Sequence, residues 1–212
     1  MRLHKLGLAA VLLAGVIGAQ GREKVGEPGK FDSYLLALSW SPAYCAERGG
    51  GGNDLQCGEG RRFAFVLHGL WPQYDNGRWP QFCSTEPGLP DPKVMLDIMP
   101  AMGLIRNEWQ KHGTCSGLGA EGYFAAARKA HGSVRVPARF QAPREYQVIS
   151  PALVTKEFLA ANPGMPAEAL VVQCRSNTLS EVRVCLDKNL KPAACKGQRG
   201  CRAESVRVAP VR

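Results

Sequence analysis

Eight cysteines constrain the fold of this 212-residue chain more than any other feature. They are spread over the region after an N-terminal leader, at Cys45, Cys57, Cys83, Cys115, Cys174, Cys185, Cys195 and Cys201. An even number of cysteines in an exported chain predicts that all of them form disulfides. Eight cysteines allow on the order of 100 different pairings, so the sequence alone does not determine which ones pair. Zinc bound by His112 and Cys115, or by the four late cysteines, is disfavoured because no C-x-x-C pair is present.

Residues 1–21 have the pattern of a secretory signal peptide. A basic start with Arg2 and Lys5 precedes an apolar run, and Ala19-Gln20-Gly21 offers small residues for cleavage. The apolar run is short for a bilayer span, which disfavours a membrane anchor. We therefore expect export to a periplasm or out of the cell, with no membrane attachment once the leader is removed. The remaining residues, 22–212, have the length of a single domain.

The chain is basic, with a formal net charge of +9 at pH 7. Removal of the leader takes away Arg2 and Lys5 and no acidic residue, so the mature chain carries +7. A charge of this sign favours polyanionic partners such as nucleic acid. It is weak evidence on its own, because many basic surfaces are simply solvated.

Residues 108–115, Glu-Trp-Gln-Lys-His-Gly-Thr-Cys, bring three titratable groups together. If this stretch is helical, Glu108, Lys111 and His112 stand at i, i+3 and i+4 and share one face. A helix that only packs would carry apolar residues at this spacing. The pattern therefore predicts a catalytic face.

His68 is the second candidate imidazole. It follows an apolar run at residues 63–67, within a strand predicted over residues 61–67, and it is followed by Gly69. A histidine at the end of a buried strand, before a glycine turn, is well placed to project into a cleft. Of the other histidines, His4 falls in the leader and His131 lies in a polar run.

The segment His68-Gly69-Leu70-Trp71-Pro72-Gln73 and residues 108–115 together resemble the two active-site segments of the ribonuclease T2 family. The flanking residues 99–100, 103–105 and 116–118 are similar to its bacterial members, of the periplasmic ribonuclease I kind. The family often has a third histidine directly before the glutamate of the second segment, where this chain has Asn107. An asparagine can donate to a phosphate oxygen but carries no charge.

The order of predicted elements favours an α+β fold, with an antiparallel sheet core and helices packed on one side, and the resemblance implies the same fold. The elements comprise strands over residues 31–40 and 61–67, helices over 92–102, 119–131 and 151–161 with Ser150 as N-cap, a hairpin of 169–174 with 179–186, and an edge strand over 205–208. The resemblance also implies the disulfides Cys83–Cys115, Cys174–Cys201 and Cys185–Cys195, which leaves Cys45 with Cys57.

The resemblance implies metal-independent cleavage of single-stranded RNA, with no cofactor and no action on DNA. In this chemistry the ribose 2′-OH attacks the adjacent phosphate, and a 2′,3′-cyclic phosphate forms and is then hydrolysed to a 3′-phosphate. The resemblance assigns His112 as the base and His68 as the acid. Lys111 would stabilise the charge on phosphorus, and Glu108 would orient Lys111 or bind phosphoryl oxygens. We expect a monomer.

Candidate substrate-binding residues lie around these segments. The resemblance and the segment itself indicate Trp71, Gln73, Tyr74 and Asn107. Residues 72–92 form a long proline-rich span that also carries Trp79 and Phe82. Aromatic rings commonly stack on the bases of single-stranded nucleic acid, so this span is a candidate substrate wall. The alternative is that the rings pack the span onto the body of the protein.

Three other classes of function are weighed against this interpretation. A metal-dependent nuclease needs clustered carboxylates near the histidines, and Glu108 is the one that the sequence offers. A catalytically silent RNA-binding domain has no need of two histidines and Lys111. A hydrolase with Cys115 as its nucleophile is excluded if Cys115 is paired with Cys83.

Overall fold

The computed structural model describes residues 23–49, 52 and 54–211, so the predicted leader lies outside the described residues. The α+β fold class is confirmed within them. The main elements in chain order are β1 Ser33–Trp40, α1 Ser41–Arg48, β2 Phe65–Gln73, α2 Met102–Lys111, α3 Gly119–Ser133, β3 Gln147–Ile149, α4 Pro151–Ala161, β4 Leu170–Arg175, β5 Thr178–Leu186 and β6 Val206–Val208. None of the helices among the described residues has the length and apolar character that a bilayer span requires.

The strands form one six-stranded sheet in the order β2-β1-β5-β6-β3, with β4 paired to β5. β1 pairs antiparallel with both β2 and β5, and most of its side chains are buried, which confirms the predicted central strand. The hairpin of β4 and β5 is confirmed as well. Its turn residues, Ser176 and Asn177, have φ values of 45° and 57°, as the primed turns of tight hairpins require.

The hydrophobic core joins the sheet to all four of these helices, α1 through Ala43. α3 buries Tyr123, Phe124, Ala127 and Ala130, so the predicted packing helix is confirmed. α4 begins after Ser150, whose side chain accepts a hydrogen bond from the backbone N–H of Leu153, as predicted for an N-cap. Ile105 and Trp109 of α2 belong to the same core cluster, and they leave the opposite face of α2 for other contacts.

β2 differs from its prediction in a way that matters for the site. The strand does not end at residue 67 but begins at Phe65 and continues through Gln73. Gly69 pairs with Ala37 and Leu67 pairs with Leu38, so His68 is one extra residue in the ladder, a β-bulge. β2 lies at the edge of the sheet, where a proline such as Pro72 is tolerated.

The predicted helix over residues 92–102 was wrong. Only a 3-10 helix, Pro92–Met95, forms there, and α2 begins at Met102. Pro100 explains the break, because the residue before a proline is disfavoured in the helical region. The predicted end of the first strand at Ser41 is correct, but the same residue begins α1, a helix that was not predicted.

The predicted edge strand near residue 206 also needs correction. β6 lies inside the sheet order, between β5 and β3, and β3 takes the edge position. β3 has only three residues and pairs antiparallel with β6. So short a strand carries no alternating pattern that the sequence could reveal.

All eight cysteines are paired in disulfides, as Cys45–Cys57, Cys83–Cys115, Cys174–Cys201 and Cys185–Cys195. These are the pairs that the resemblance implies. Cys115 is therefore not available as a nucleophile. Its bond to Cys83 ties the segment after α2 to the span that follows β2, which helps to fix α2 relative to β2.

Candidate active site

A cleft of about 290 Å³ lies where β2, β5 and the end of α2 meet. Seven of the eight predicted catalytic and substrate-binding residues line it: His68, Trp71, Gln73, Asn107, Glu108, Lys111 and His112. Leu35, Trp79, Arg183 and Gln198 complete the lining. The structure thus brings together two segments that lie about forty positions apart in the chain.

Two predicted wall residues do not line this cleft. Tyr74 packs partly buried against the core, and Phe82 lines a separate groove with Lys24. Trp79 does line the cleft, and 46% of its surface is exposed. Of the three rings in the proline-rich span, only Trp79 is therefore placed to contact a ligand in the cleft, while Tyr74 packs the span onto the body.

The last turn of α2 presents Glu108, Lys111 and His112 on one face, as the spacing predicts. The helix ends at Lys111, and the backbone N–H of His112 still donates to the carbonyl of Glu108 at 3.0 Å. Glu108 is 2% exposed and His112 is 5% exposed. Both side chains are therefore largely shielded from bulk water.

Trp71 contacts both imidazoles. Its ring stacks on His112 at a centroid distance of 5.3 Å and meets His68 edge-to-face at 5.0 Å. Its indole N–H donates to Glu108 Oε2 at 2.6 Å. The indole therefore fixes the relative positions of both histidines and of the buried carboxyl group.

His68 has a carboxylate on each side. Its Nδ1 is 2.6 Å from Glu181 Oε1, and its Nε2 is 3.9 Å from Glu108 Oε1. Burial acts to lower the pKa of His68, but the hydrogen bond to Glu181 and the charges of Glu108 and Glu181 outweigh burial and raise it above its ordinary value. His68 therefore favours the protonated, cationic form.

His112 has the opposite environment. Burial, followed by the positive charges of Lys111 and His68, lowers its pKa to about 3. Its Nδ1 is buried, and no described residue provides a hydrogen-bond partner for it. No hydrogen bond at Nδ1 therefore stabilises an imidazolium, and His112 favours the neutral form. The cleft thus holds one imidazole that favours the protonated form and one that favours the neutral form, and both contact Trp71.

Glu108 is the third titratable group of the site. Burial raises its pKa, although the charge of His68, the hydrogen bond from Trp71 and the charge of Lys111 oppose that rise. A carboxyl group with a raised pKa can exist in either protonation state near the working pH of many enzymes.

Glu181 and Arg183 of β5 are functional candidates that sequence reasoning missed. They alternate with the buried residues Val182 and Val184, so both point away from the core. Opposite charges at i and i+2 on a strand usually indicate a solvated face, and nothing in the sequence places that face against His68. The register of β5 against β1 creates the contact, since Ser39 pairs with Glu181 in the ladder.

The described residues contain no group of three or more His, Cys, Asp or Glu side chains arranged to hold a metal ion. The groups that line the cleft are instead suited to proton transfer and to binding an anion. Two imidazoles can exchange protons with a substrate, and Lys111 and Arg183 supply positive charge.

Comparisons with known proteins link the chain to one family. A model of the Ribonuclease T2 family matches residues 31–195. A ribonuclease from Aeromonas hydrophila is 45% identical over 114 residues, which cover 52% of this chain and 49% of that protein. This chain therefore spans about half the length of that bacterial relative.

Two further matches extend over most of the chain. Ribonuclease DdI from Dictyostelium discoideum is 30% identical over 211 residues, which cover 89% of each protein. The solved structure of RNase NT in complex with 5′-AMP has a TM-score of 0.66 and 26% identity, and the match covers 85% of this chain and 99% of that one.

Proposed function

Since the chain belongs to the ribonuclease T2 family, we propose that it is an endoribonuclease that cleaves single-stranded RNA without a metal ion. The observation that carries this proposal is the pair of imidazoles that line one cleft and both contact Trp71, one favouring the protonated form and one the neutral form. A reaction that needs one acid and one base in the same step requires this combination.

The first step is an internal transphosphorylation. His112, neutral, accepts the proton of the ribose 2′-OH as the 2′-oxygen forms its bond to phosphorus. His68, protonated, donates its proton to the 5′-oxygen as the bond from phosphorus to that oxygen breaks. The products are a 2′,3′-cyclic phosphate and a free 5′-OH. DNA lacks the 2′-OH and is therefore not a substrate.

The second step uses the same groups in reverse. His68, now neutral, accepts a proton from water, whose oxygen attacks phosphorus, and His112 returns its proton to the departing 2′-oxygen. The product is a 3′-phosphate, and both histidines regain their initial states. No cofactor enters either step.

The remaining cleft residues bind the reacting phosphate and its neighbours. Lys111 stabilises the additional negative charge of the pentacoordinate phosphorus. Asn107 donates a hydrogen bond to a phosphoryl oxygen, and Glu108 accepts from Trp71 and orients Lys111. Exposed Trp79 offers a ring on which a base can stack, with Gln73 nearby.

We also propose that the mature chain is a single exported domain over residues 22–212. The pattern of residues 1–21 and the four disulfides support export to a periplasm or out of the cell. A mature domain with a formal charge of +7 suits a polyanionic substrate. We expect it to act as a monomer.

The test uses residues 22–212, a short defined RNA and a DNA of the same sequence, in excess EDTA, with fragments identified by mass. We expect RNA-only cleavage that leaves cyclic phosphate and 3′-phosphate ends. His68→Ala and His112→Ala should each lower the rate by about 10²–10⁴-fold. His131→Ala is the control and should be fully active. An RNA that stays intact, or cleavage that EDTA abolishes, would overturn the proposal.

A further inference from the structure

We infer that Glu181 is a positioning residue for His68: it holds Nδ1–H of the imidazole so that Nε2 faces the cleft and delivers the proton to the leaving oxygen. This inference rests on the proposed function for the identity of the leaving group. The contact itself is a property of the fold. Nδ1 is 2.6 Å from Glu181 Oε1, and Nε2 is the nitrogen on the side of Glu108 and the cleft.

Glu181 is itself held on both of its oxygens. Oε1 accepts a hydrogen bond from the hydroxyl of Ser39 at 3.2 Å as well as from His68. Oε2 accepts from Nε of Arg183 at 2.8 Å and lies 2.8 Å from its Nη2. The side chain of Glu181 is 12% exposed. Because Ser39 of β1 and Arg183 of β5 hold the carboxylate in place, it cannot follow a rotation of the imidazole. The carboxylate therefore sets the orientation of the ring.

The hydrogen bond also determines which nitrogen exchanges protons. With a carboxylate on Nδ1, that nitrogen keeps its proton in both charge states of His68. When Nε2 gives its proton to the 5′-oxygen, the ring becomes neutral with its lone pair on Nε2. That lone pair points to where the attacking water must lose its proton in the second step. Glu181 thus keeps one nitrogen in use for both steps without taking up a proton itself.

The charged groups that face His68 come from several elements. Glu181 and Arg183 come from β5, Glu108 comes from α2, and His112 directly follows α2. Arg183 opposes protonation of His68, and Glu108 and Glu181 favour it. Removal of the Glu181 charge would therefore lower the pKa of His68 in two ways. It removes a negative charge beside the ring, and it leaves the positive charge of Arg183 without its carboxylate partner.

The first measurement is an NMR titration of His68 in the whole mature protein and in Glu181→Gln. The amide can still accept the Nδ1–H bond but carries no charge. We expect the pKa of His68 to fall by about one to two pH units, while that of His131 stays unchanged as an internal reference. Glu157→Gln removes a carboxylate that pairs with Arg139 on the surface and should leave His68 unchanged.

Arg183→Gln is the second variant, because it should shift the pKa of His68 in the opposite direction. Removal of the guanidinium leaves Glu181 in place, so the pKa of His68 should rise. A His68 pKa that does not move in Glu181→Gln, or that moves in the same direction in both variants, would overturn the inference. These titrations need no activity, so they remain decisive even if the protein does not cleave RNA and the proposed function fails.

The second measurement is the pH dependence of kcat/KM on RNA. The acid must be protonated, so His68 controls the alkaline limb of the profile. In Glu181→Gln this limb should move to lower pH by the same amount as the NMR shift, and the acidic limb should stay in place. In Glu181→Ala, which also loses the hydrogen bond, the maximal rate should fall as well. A lower rate with an unmoved alkaline limb in Glu181→Gln would mean a purely structural role.

Discussion

Gly69→Ala is the substitution that tests the geometry of the cleft most directly. A Cβ at this position would overlap with Glu108 Oε2 and Trp71 Nε1 and would lie 2.9 Å from Glu108 Cδ. These are the atoms of the hydrogen bond that joins Trp71 to Glu108 at 2.6 Å. The methyl group can be accommodated only if that bond breaks or if the backbone at the bulge moves.

The expected cost follows from these two routes. A buried group that loses its hydrogen-bond partner costs about 1–3 kcal/mol, and insertion of a methyl group into a packed site costs about 1–3 kcal/mol. Whichever route is taken, we therefore expect the free energy of unfolding to fall by about 1–3 kcal/mol. A displacement of about 1 Å at the reacting groups should lower kcat/KM by about 10²-fold. Urea unfolding followed by tryptophan fluorescence, and initial rates on a short RNA, measure the two effects.

Gly103→Ala is the matched control for this experiment. Gly103 lies in α2, and a Cβ there meets nothing within 4 Å. In a helix the change from glycine to alanine should stabilise by about 0.5–1 kcal/mol, with activity unchanged. A Gly69→Ala variant as stable and as active as the control would refute this reasoning. It would mean that the site does not need the hydrogen bond between Trp71 and Glu108 that lies next to Gly69.

Three further predictions concern pH and the disulfides. If His112 is the base and His68 the acid, the profile of kcat/KM against pH should be a broad bell, because the pKa of His112 is lowered to about 3 and that of His68 is raised. A narrow bell would contradict these assignments. The folded pKa of His112 lies below its unfolded value, so folding stability is lost as pH falls. Between pH 7 and pH 5 the free energy of unfolding should therefore fall by about 2 kcal/mol less in His112→Gln than in the unmodified protein. Urea unfolding at both pH values measures this difference. The double variant Cys83→Ser with Cys115→Ser should unfold about 2–4 kcal/mol more easily and lose activity, whereas loss of Cys45–Cys57 should leave kcat/KM close to normal.

The parts of the fold that could be predicted are those with a local signal. α4 could be predicted because Ser150 and Pro151 mark its start, and α3 could be predicted because its buried residues recur at helical spacing. The hairpin of β4 and β5 has two apolar runs around a polar turn. β3 carries no such signal, because three residues are too few for periodicity and its pairing with β6 depends on distant chain.

The same distinction applies to the site. Glu108, Lys111 and His112 lie within five positions on one helix face, so their convergence could be predicted from spacing. The contact of Glu181 with His68 could not be predicted, because it joins residues 113 positions apart. The bulge at His68 depends on the register of β2 against β1, which no local pattern reveals.

The difference between the two histidines therefore arises from their neighbours in space and not from their own segments. The bulge turns His68 towards β5, where a carboxylate held by Ser39 and Arg183 favours the cation. The end of α2 places His112 beside Lys111 and against the face of Trp71, where no described residue pairs with its Nδ1. If the two histidines exchanged roles, His112 would have to be protonated in the environment that lowers its pKa. Under the proposed function, the sheet register and the helix end thus decide which histidine is the acid and which is the base, and Glu181→Gln should reduce the difference between them without changing either histidine.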